Sequence, residues 1–413
     1  MRKPDEYTLT RYACYSVNIS MAVVASLSAL LFVTFREMYD ISYTLLGLLV
    51  VINFSTQLVI DLIFSFFSKY FNIHKTVRIT PLITVIGMLI YSVFPIFFPR
   101  AAYLFIALGT VIFSISAGLS EVLMSPTVAA LPSDDPERDM SKLHSIYAWG
   151  VAIVVIVCTL YLEIFGRHNW MYLGIIASLI PLASFIMFTK AKLPEMDNSE
   201  SKAEKKGRIF SSGLMLCVLC IFLGGAAECT MTQWVSTFME NTLSIPKVWG
   251  DIFGMATFAL LLGLGRSLYA KYGKNVTNIL VVGMIGAFVC YLTASLSTNP
   301  IIGLIACVLT GFCTSMLWPG SIIFVGEKMP GAGVAVYALM AAGGDLGASV
   351  APQLVGIASD FVGASAMGAG LSSTLGMNAE QIGMRAGLLI AAAFPLAGII
   401  VTLILKRHFK KEK

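Results

Sequence analysis

Residues 117–126 read AGLSEVLMSP, and the fold is decided by how this stretch is understood. From Ala101 to Pro126 the only charged residue is Glu121, and the run is long enough to cross a bilayer core as a helix. A carboxylate therefore lies in or near hydrocarbon. Ionised at the centre of a span it costs about 2.5 to 3.5 kcal/mol on insertion scales, so such a residue faces a water-filled cavity or a partner. Glu121 is either a working site or a structural carboxylate bonded to a neighbouring helix.

The rest of the chain has the same character. Of 413 residues, 57% are hydrophobic and 12% charged, about half the charged share usual in soluble domains. This is the composition of a polytopic membrane protein. All eight cysteines fall inside apolar stretches, which argues against a disulfide scaffold or a zinc site. Cys217 and Cys220 have CxxC spacing, but on a helix that spacing only puts two small polarizable residues on one face. Residues 1–11, MRKPDEYTLTR, are too polar for a secretory signal, so the first apolar span is expected to be retained.

Windows of about 20 residues give twelve spans. They lie at 12–35, 43–67, 79–99, 101–126, 143–165 and 169–189, then at 210–236, 248–270, 276–297, 300–325, 332–357 and 384–405. An even count puts both ends on one side. With that side cytoplasmic, the outer segments hold only Arg36, Arg100, Arg167, Lys247 and Arg385 of the 28 lysines and arginines. The asymmetry predicts a multi-pass protein of the plasma (inner) membrane with both termini cytoplasmic. Trp170 and Trp249, at outer span ends, are expected to be interface anchors.

The longest polar stretch, KAKLPEMDNSESKAEKKGRI at 190–209, separates six spans from six. It predicts an N-terminal half at 1–189, a cytoplasmic linker at 190–209 and a C-terminal half at 210–413. A second long connection, 359–384, is rich in Gly, Ala, Ser and Met and gives no readable structure. The halves also echo each other. SFFSKYFN (65–72) follows the second span as SLYAKYGK (267–274) follows the eighth, and Gly118 with Pro126 corresponds to Gly311 with Pro319. Duplicated halves are typical of transporters.

The six-plus-six layout, the basic central loop and the basic turns after spans two and eight resemble the major facilitator superfamily over essentially the whole chain. Within it, the pattern G-x-x-E-x-x-x-x-P at Gly118, Glu121 and Pro126, with GGAAE at 224–228, is similar to the fucose permease-like group of proton-coupled sugar transporters. The superfamily loop signature GxxxDRxGRR is represented by GRSLYAKYGK (265–274), while Ser68 stands at its acidic position in the first half. The fucose permease carries an aspartate in its first span, whereas here no charge lies between Arg11 and Arg36. The resemblance implies an all-α membrane protein of twelve transmembrane helices in two pseudo-symmetric six-helix bundles. It also implies alternating access about a midplane cavity.

Carboxylates fall well within four spans: Asp61, Glu121, Glu228 and Asp345. The third, sixth, ninth and twelfth spans have none, as expected of lipid-facing helices around a central pathway. Asn53, Gln57 and Asp61 share one helix side by their i, i+4, i+8 spacing. So do Glu228, Thr232 and Ser236, and Asp345, Ser349 and Gln353, while Thr310, Thr314 and Trp318 add an aromatic ring. Such faces suit a hydroxyl-rich solute. Equally, they suit interhelical hydrogen bonding at about 1 kcal/mol per contact.

These residues define the expected function. A secondary transporter moves a sugar or similar small polar solute with protons; Glu121 couples the proton, with Asp345 and Glu228 in reserve. Asn53, Gln57, Asp61, Thr232, Thr314, Trp318, Ser349 and Gln353 meet the solute. Arg266, Lys271 and Lys274 line the cytoplasmic gate. The chain has no nucleotide-binding loop, and His74, His144, His168 and His408 form no metal or triad spacing, so neither an enzyme nor a cofactor is expected. The basic tail is explained by orientation and lipid headgroups, without nucleic acid, and a monomer is expected. The alternatives are a drug or metabolite exporter of the same fold, or a non-transporting membrane receptor. Against the exporter, the fifth span (150–166) lacks the pattern G-x-x-x-G-P-x-x-G-G that resembles antiporters.

Overall fold

A computed structural model describes residues 6–67, 70–132, 136–194, 212–273, 275–329 and 334–411. Ser68, Lys274 and most of the 190–209 linker lie outside them. All regular structure among the described residues is helical. The chain forms two compact units, Met1–Tyr39 with Thr56–Glu200, and Asp40–Ser55 with Ser201–Lys413.

The first unit holds α1 (Thr8–Tyr39), α3 (Ile73–Phe97), α4 (Ala102–Ala129), α5 (Pro136–Phe165), α6 (Trp170–Ala177) and α7 (Leu179–Lys190). The second holds α8 (Ser212–Thr237), α9 (Lys247–Trp249), α10 (Thr257–Tyr272), α11 (Val276–Leu296), α12 (Pro300–Thr314), α13 (Leu317–Lys328), α14 (Val334–Ala364), α15 (Ala366–Leu375), α16 (Ala379–Ala391) and α17 (Ala393–Lys411). Helix α2 (Tyr43–Phe67) is divided: its first turns belong to the second unit and residues from Thr56 onward to the first. The reason is at its start. Asp360 of α14 accepts hydrogen bonds from the amides of Tyr43 (3.2 Å) and Thr44 (2.6 Å) and from Thr44 Oγ1 (2.7 Å). A carboxylate there satisfies orphan amides and complements the helix dipole.

Packing repeats between the units. In the first, α1 packs on α5 and α7, and α3 on α4, α6 and α7. In the second, α8 packs on α14 and α17, and α11 on α12, α16 and α17. Helices α3 and α11 both begin at an asparagine cap, Asn72 accepting from Lys75 N and Asn275 from Asn278 N.

Among the described residues ten helices are long and apolar enough to cross a membrane, and up to eleven if a bent pair is one span. The fifth and eleventh of the twelve expected spans fall short. In α5 only Trp149–Phe165 is apolar enough, and it is a shorter helix, while α14 from Leu339 joins α15 at a bend of 78°. The 359–384 connection is not an irregular loop. Helix α14 continues to Ala364, Ser365 caps α15, Gly376 ends it in the left-handed region (φ 65°), and Asn378 with Gln381 forms a capping box for α16.

Trp170 is not an interface anchor. It is fully buried, edge-on to Phe35 at 4.9 Å and to Tyr91 at 5.8 Å, so its ring joins α6 to α1 and α3. Trp249 is 54% exposed and stacks on Phe253. The eight cysteines are free thiols, with Cys217 and Cys220 buried in the core.

Candidate functional site

In the first unit the candidate residues sit where α2 meets α4. The absent side chain at Gly118 permits this approach: a methyl there would lie 3.1 Å from Asp61 Oδ1, from the Gln57 carbonyl and from Ile60 Cβ. Gln57 and Asp61 are half-buried. Glu121 stands one turn beyond Gly118, on the same side of α4, and its side chain is exposed although it lies within the candidate span Pro99–Val128. Asn53, also half-buried, belongs to the part of α2 grouped with the second unit, so the expected stripe of three is divided.

In the second unit Glu228, Arg266, Trp318 and Asp345 gather in one region. Arg266 of α10 turns into the bundle, where Nη2 donates to Glu228 Oε1 of α8 at 3.0 Å and Nε donates to the Ser315 carbonyl at 3.0 Å. That carbonyl is available because the helix breaks between α12 and α13 at Ser315 and Met316. The break also ends the expected Thr310, Thr314, Trp318 stripe. Thr310 and Thr314 are fully buried and donate to the carbonyls of Ala306 and Thr310, one turn back.

The ring of Trp318, one turn past Ser315, rests on two glycines. A methyl at Gly225 of α8 would lie 3.0 Å from Cζ3, and one at Gly344 of α14 would lie 2.7 Å from Cζ2 and Cζ3. These glycines adjoin the carboxylates, Gly225 one turn before Glu228 and Gly344 beside Asp345, which is only 5% exposed. Thr232 and Ser349 donate to the carbonyls of Glu228 (3.0 Å) and Asp345 (2.6 Å) in their own helices. Gln353 reaches the Thr44 carbonyl at 3.2 Å. Lys271 is exposed, with its ammonium 5.2 Å from the Tyr272 ring centroid, and Lys274 lies outside the described residues.

A second charge pair, this one buried, was not apparent from the sequence. Lys247 Nζ lies 3.1 Å from Asp251 Oδ2 and donates to Ser236 Oγ at 3.1 Å, while Ser236 Oγ donates to Asp251 Oδ1. The lysine side chain is 7% exposed and the aspartate side chain not at all. Asp251 sits in a π-helical segment, Gly250–Ala256. The signal available in the sequence was the i, i+4 spacing of Lys247 and Asp251. No group of three His, Cys, Asp or Glu among the described residues is placed to hold a metal ion.

The family model of the Major Facilitator Superfamily matches residues 13–352. The chain belongs to the Major Facilitator Superfamily. It is therefore a multi-pass secondary transporter of the alternating-access type and not an enzyme. No curated protein sequence matches it. The fold of this major facilitator is similar to a bacterial homolog of the human lysosomal transporter Spinster (TM-score 0.76, 14% identity, 100% of this chain and 99% of that one). It is also similar to the POT family transporter PepTSo (TM-score 0.73, 11% identity, 98% and 99%). The E. coli fucose:proton symporter FucP matches with a TM-score of 0.60 at 14% identity, over 97% and 99% of the two chains. The similarity extends across several transporter groups, so the fucose permease-like group is not singled out.

Proposed function

We propose that this major facilitator carries a sugar or similar small polar metabolite across the plasma (inner) membrane by proton symport. Its twelve spans form two six-helix halves, residues 1–189 and 210–413, joined by the 190–209 linker, with both termini cytoplasmic. Glu121 is the coupling carboxylate. The observation that carries this reading is its place: an ionisable side chain that no described neighbour covers, on a helix otherwise written in membrane residues, one turn from the close approach of Gly118 to Asp61. Of the reserve carboxylates, Asp345 is buried and Glu228 is engaged by Arg266. Gln57 and Asp61 offer polar contacts on α2, and Trp318 offers a ring beside the carboxylates of the second unit. Lys271 and Lys274 keep the role of gate residues on the basic turn.

Uptake into proteoliposomes tests this reading. A polar solute should accumulate above its outside concentration when the exterior is made acidic, and a protonophore should abolish the accumulation. Uptake that only equilibrates, whatever the pH gradient, would remove proton symport from the account.

A further inference from the structure

The pair between Arg266 and Glu228 is only half made. Arginine and carboxylate can meet through two parallel hydrogen bonds, but here a single Nη2 to Oε1 bond joins them. Glu228 Oε2 is buried and has no hydrogen-bond partner among the described residues. On the other side, Nε is held by the Ser315 carbonyl, while Nη1 makes no hydrogen bond among the described residues. The arginine side chain is 40% exposed and that of its partner only 13%, so the arginine is the more accessible member of the pair.

The position of the pair adds to this. Glu228 and Ser315 lie near the midpoints of the candidate spans Ser212–Thr242 and Pro300–Lys328, and the second of these is interrupted at Ser315. Transporter ligand sites gather at such interruptions near the middle of the membrane. Trp318, one turn from Ser315, supplies a ring close by. A planar guanidinium with free donors matches the geometry of a carboxylate or a phosphate group.

We propose that Arg266 receives an oxyanion group of the transported solute in exchange for Glu228, so that the substrate is an anion-bearing polar metabolite such as a sugar acid or a sugar phosphate. This rests on the symport reading above and names its substrate class. The charges balance: Arg266 stays cationic, the solute's negative charge replaces that of Glu228, and Glu228 takes up one proton. For a solute bound through one negative charge, the site therefore keeps one positive and one negative group in both states, and a phosphate ester meets this as its monoanion; the proton on Glu228 is separate from the one that Glu121 couples.

Equilibrium binding to the purified full-length protein, with no pH gradient, tests this inference separately from symport. The probes are neutral sugars, the matching sugar acids and sugar phosphates, and inorganic phosphate alone. Anionic members should bind and raise the unfolding temperature, with the acid and phosphate series showing which oxyanion is preferred. Arg266→Gln should weaken that binding at least tenfold, and Arg266→Lys should restore part of it. Glu228→Gln, which removes the competitor, should bind the anion at least as tightly as the wild type and with less dependence on pH. A static ion pair predicts instead that both Gln variants weaken binding alike, and that result would overturn the proposal. So would binding confined to neutral sugars, or no binding by any anionic member. Proton-driven accumulation of a neutral sugar would leave symport standing while removing this inference; anion binding without proton-driven accumulation would do the reverse.

Discussion

The indole of Trp318 on α13 lies across the backbone of Gly344 on α14, so close that a single methyl group would come within 2.7 Å of two ring carbons. Gly344→Ala must push the ring aside or part the helices, at a cost of about 1 to 3 kcal/mol for overpacking. Its unfolding temperature should fall, and binding of a ring-shaped solute should weaken with it. Trp318→Ala should weaken binding without the overpacking penalty. Should Trp318 be labelled by lipid-soluble and not by aqueous probes, the ring faces the membrane and has no part in the site.

The pair of Lys247 and Asp251 gives a second expectation. Both side chains are buried, so Asp251→Asn leaves a charge without its counter-ion, which destabilises by about 3 to 5 kcal/mol. Replacing both residues by apolar ones of similar size, Lys247→Met with Asp251→Leu, should recover most of that loss. Thermal unfolding of the two variants in detergent checks this. Equal damage from the single and double variants would mean that the loss does not come from a buried charge without its counter-ion.

The two tryptophans at outer span ends, Trp170 and Trp249, should respond differently to truncation. Trp170→Ala empties the centre of the cluster with Phe35 and Tyr91 and should cost about 3 to 5 kcal/mol. Trp249→Ala changes an exposed ring and should stay within about 0.5 kcal/mol. Comparable losses of unfolding temperature in the two variants would contradict this assignment.

These contrasts mark what a sequence conveys. Helices and their apolar spans were legible because a long uncharged run such as 101–126 admits few other structures in a membrane. The carboxylates of the candidate site were legible because each interrupts such a run. What Arg266 turns towards was not, since Glu228 is distant along the chain and the Ser315 carbonyl carries no side-chain signal. Trp170 misled because burial depends on the rings gathered from α1 and α3, which hydropathy at the span end does not register. The bend after Ala364 was hidden for a related reason: Gly, Ala and Ser serve loops and close-packed helices alike, and the caps at Ser365 and Asn378 distinguish them only once their partners are known.

Glu121 is the carboxylate proposed to couple protons to the solute. A carboxyl whose access to water changes during transport changes its proton affinity, and a solute bonded to it must alter that affinity reciprocally. Glu121→Gln keeps the shape and much of the hydrogen bonding but cannot release a proton. The most direct measurement pairs pH-driven uptake with counterflow in proteoliposomes containing this variant. Accumulation should be lost while exchange of solute across the bilayer continues at a rate close to that of the wild type. Undiminished accumulation would contradict the account and move the coupling role to Asp345 or Glu228.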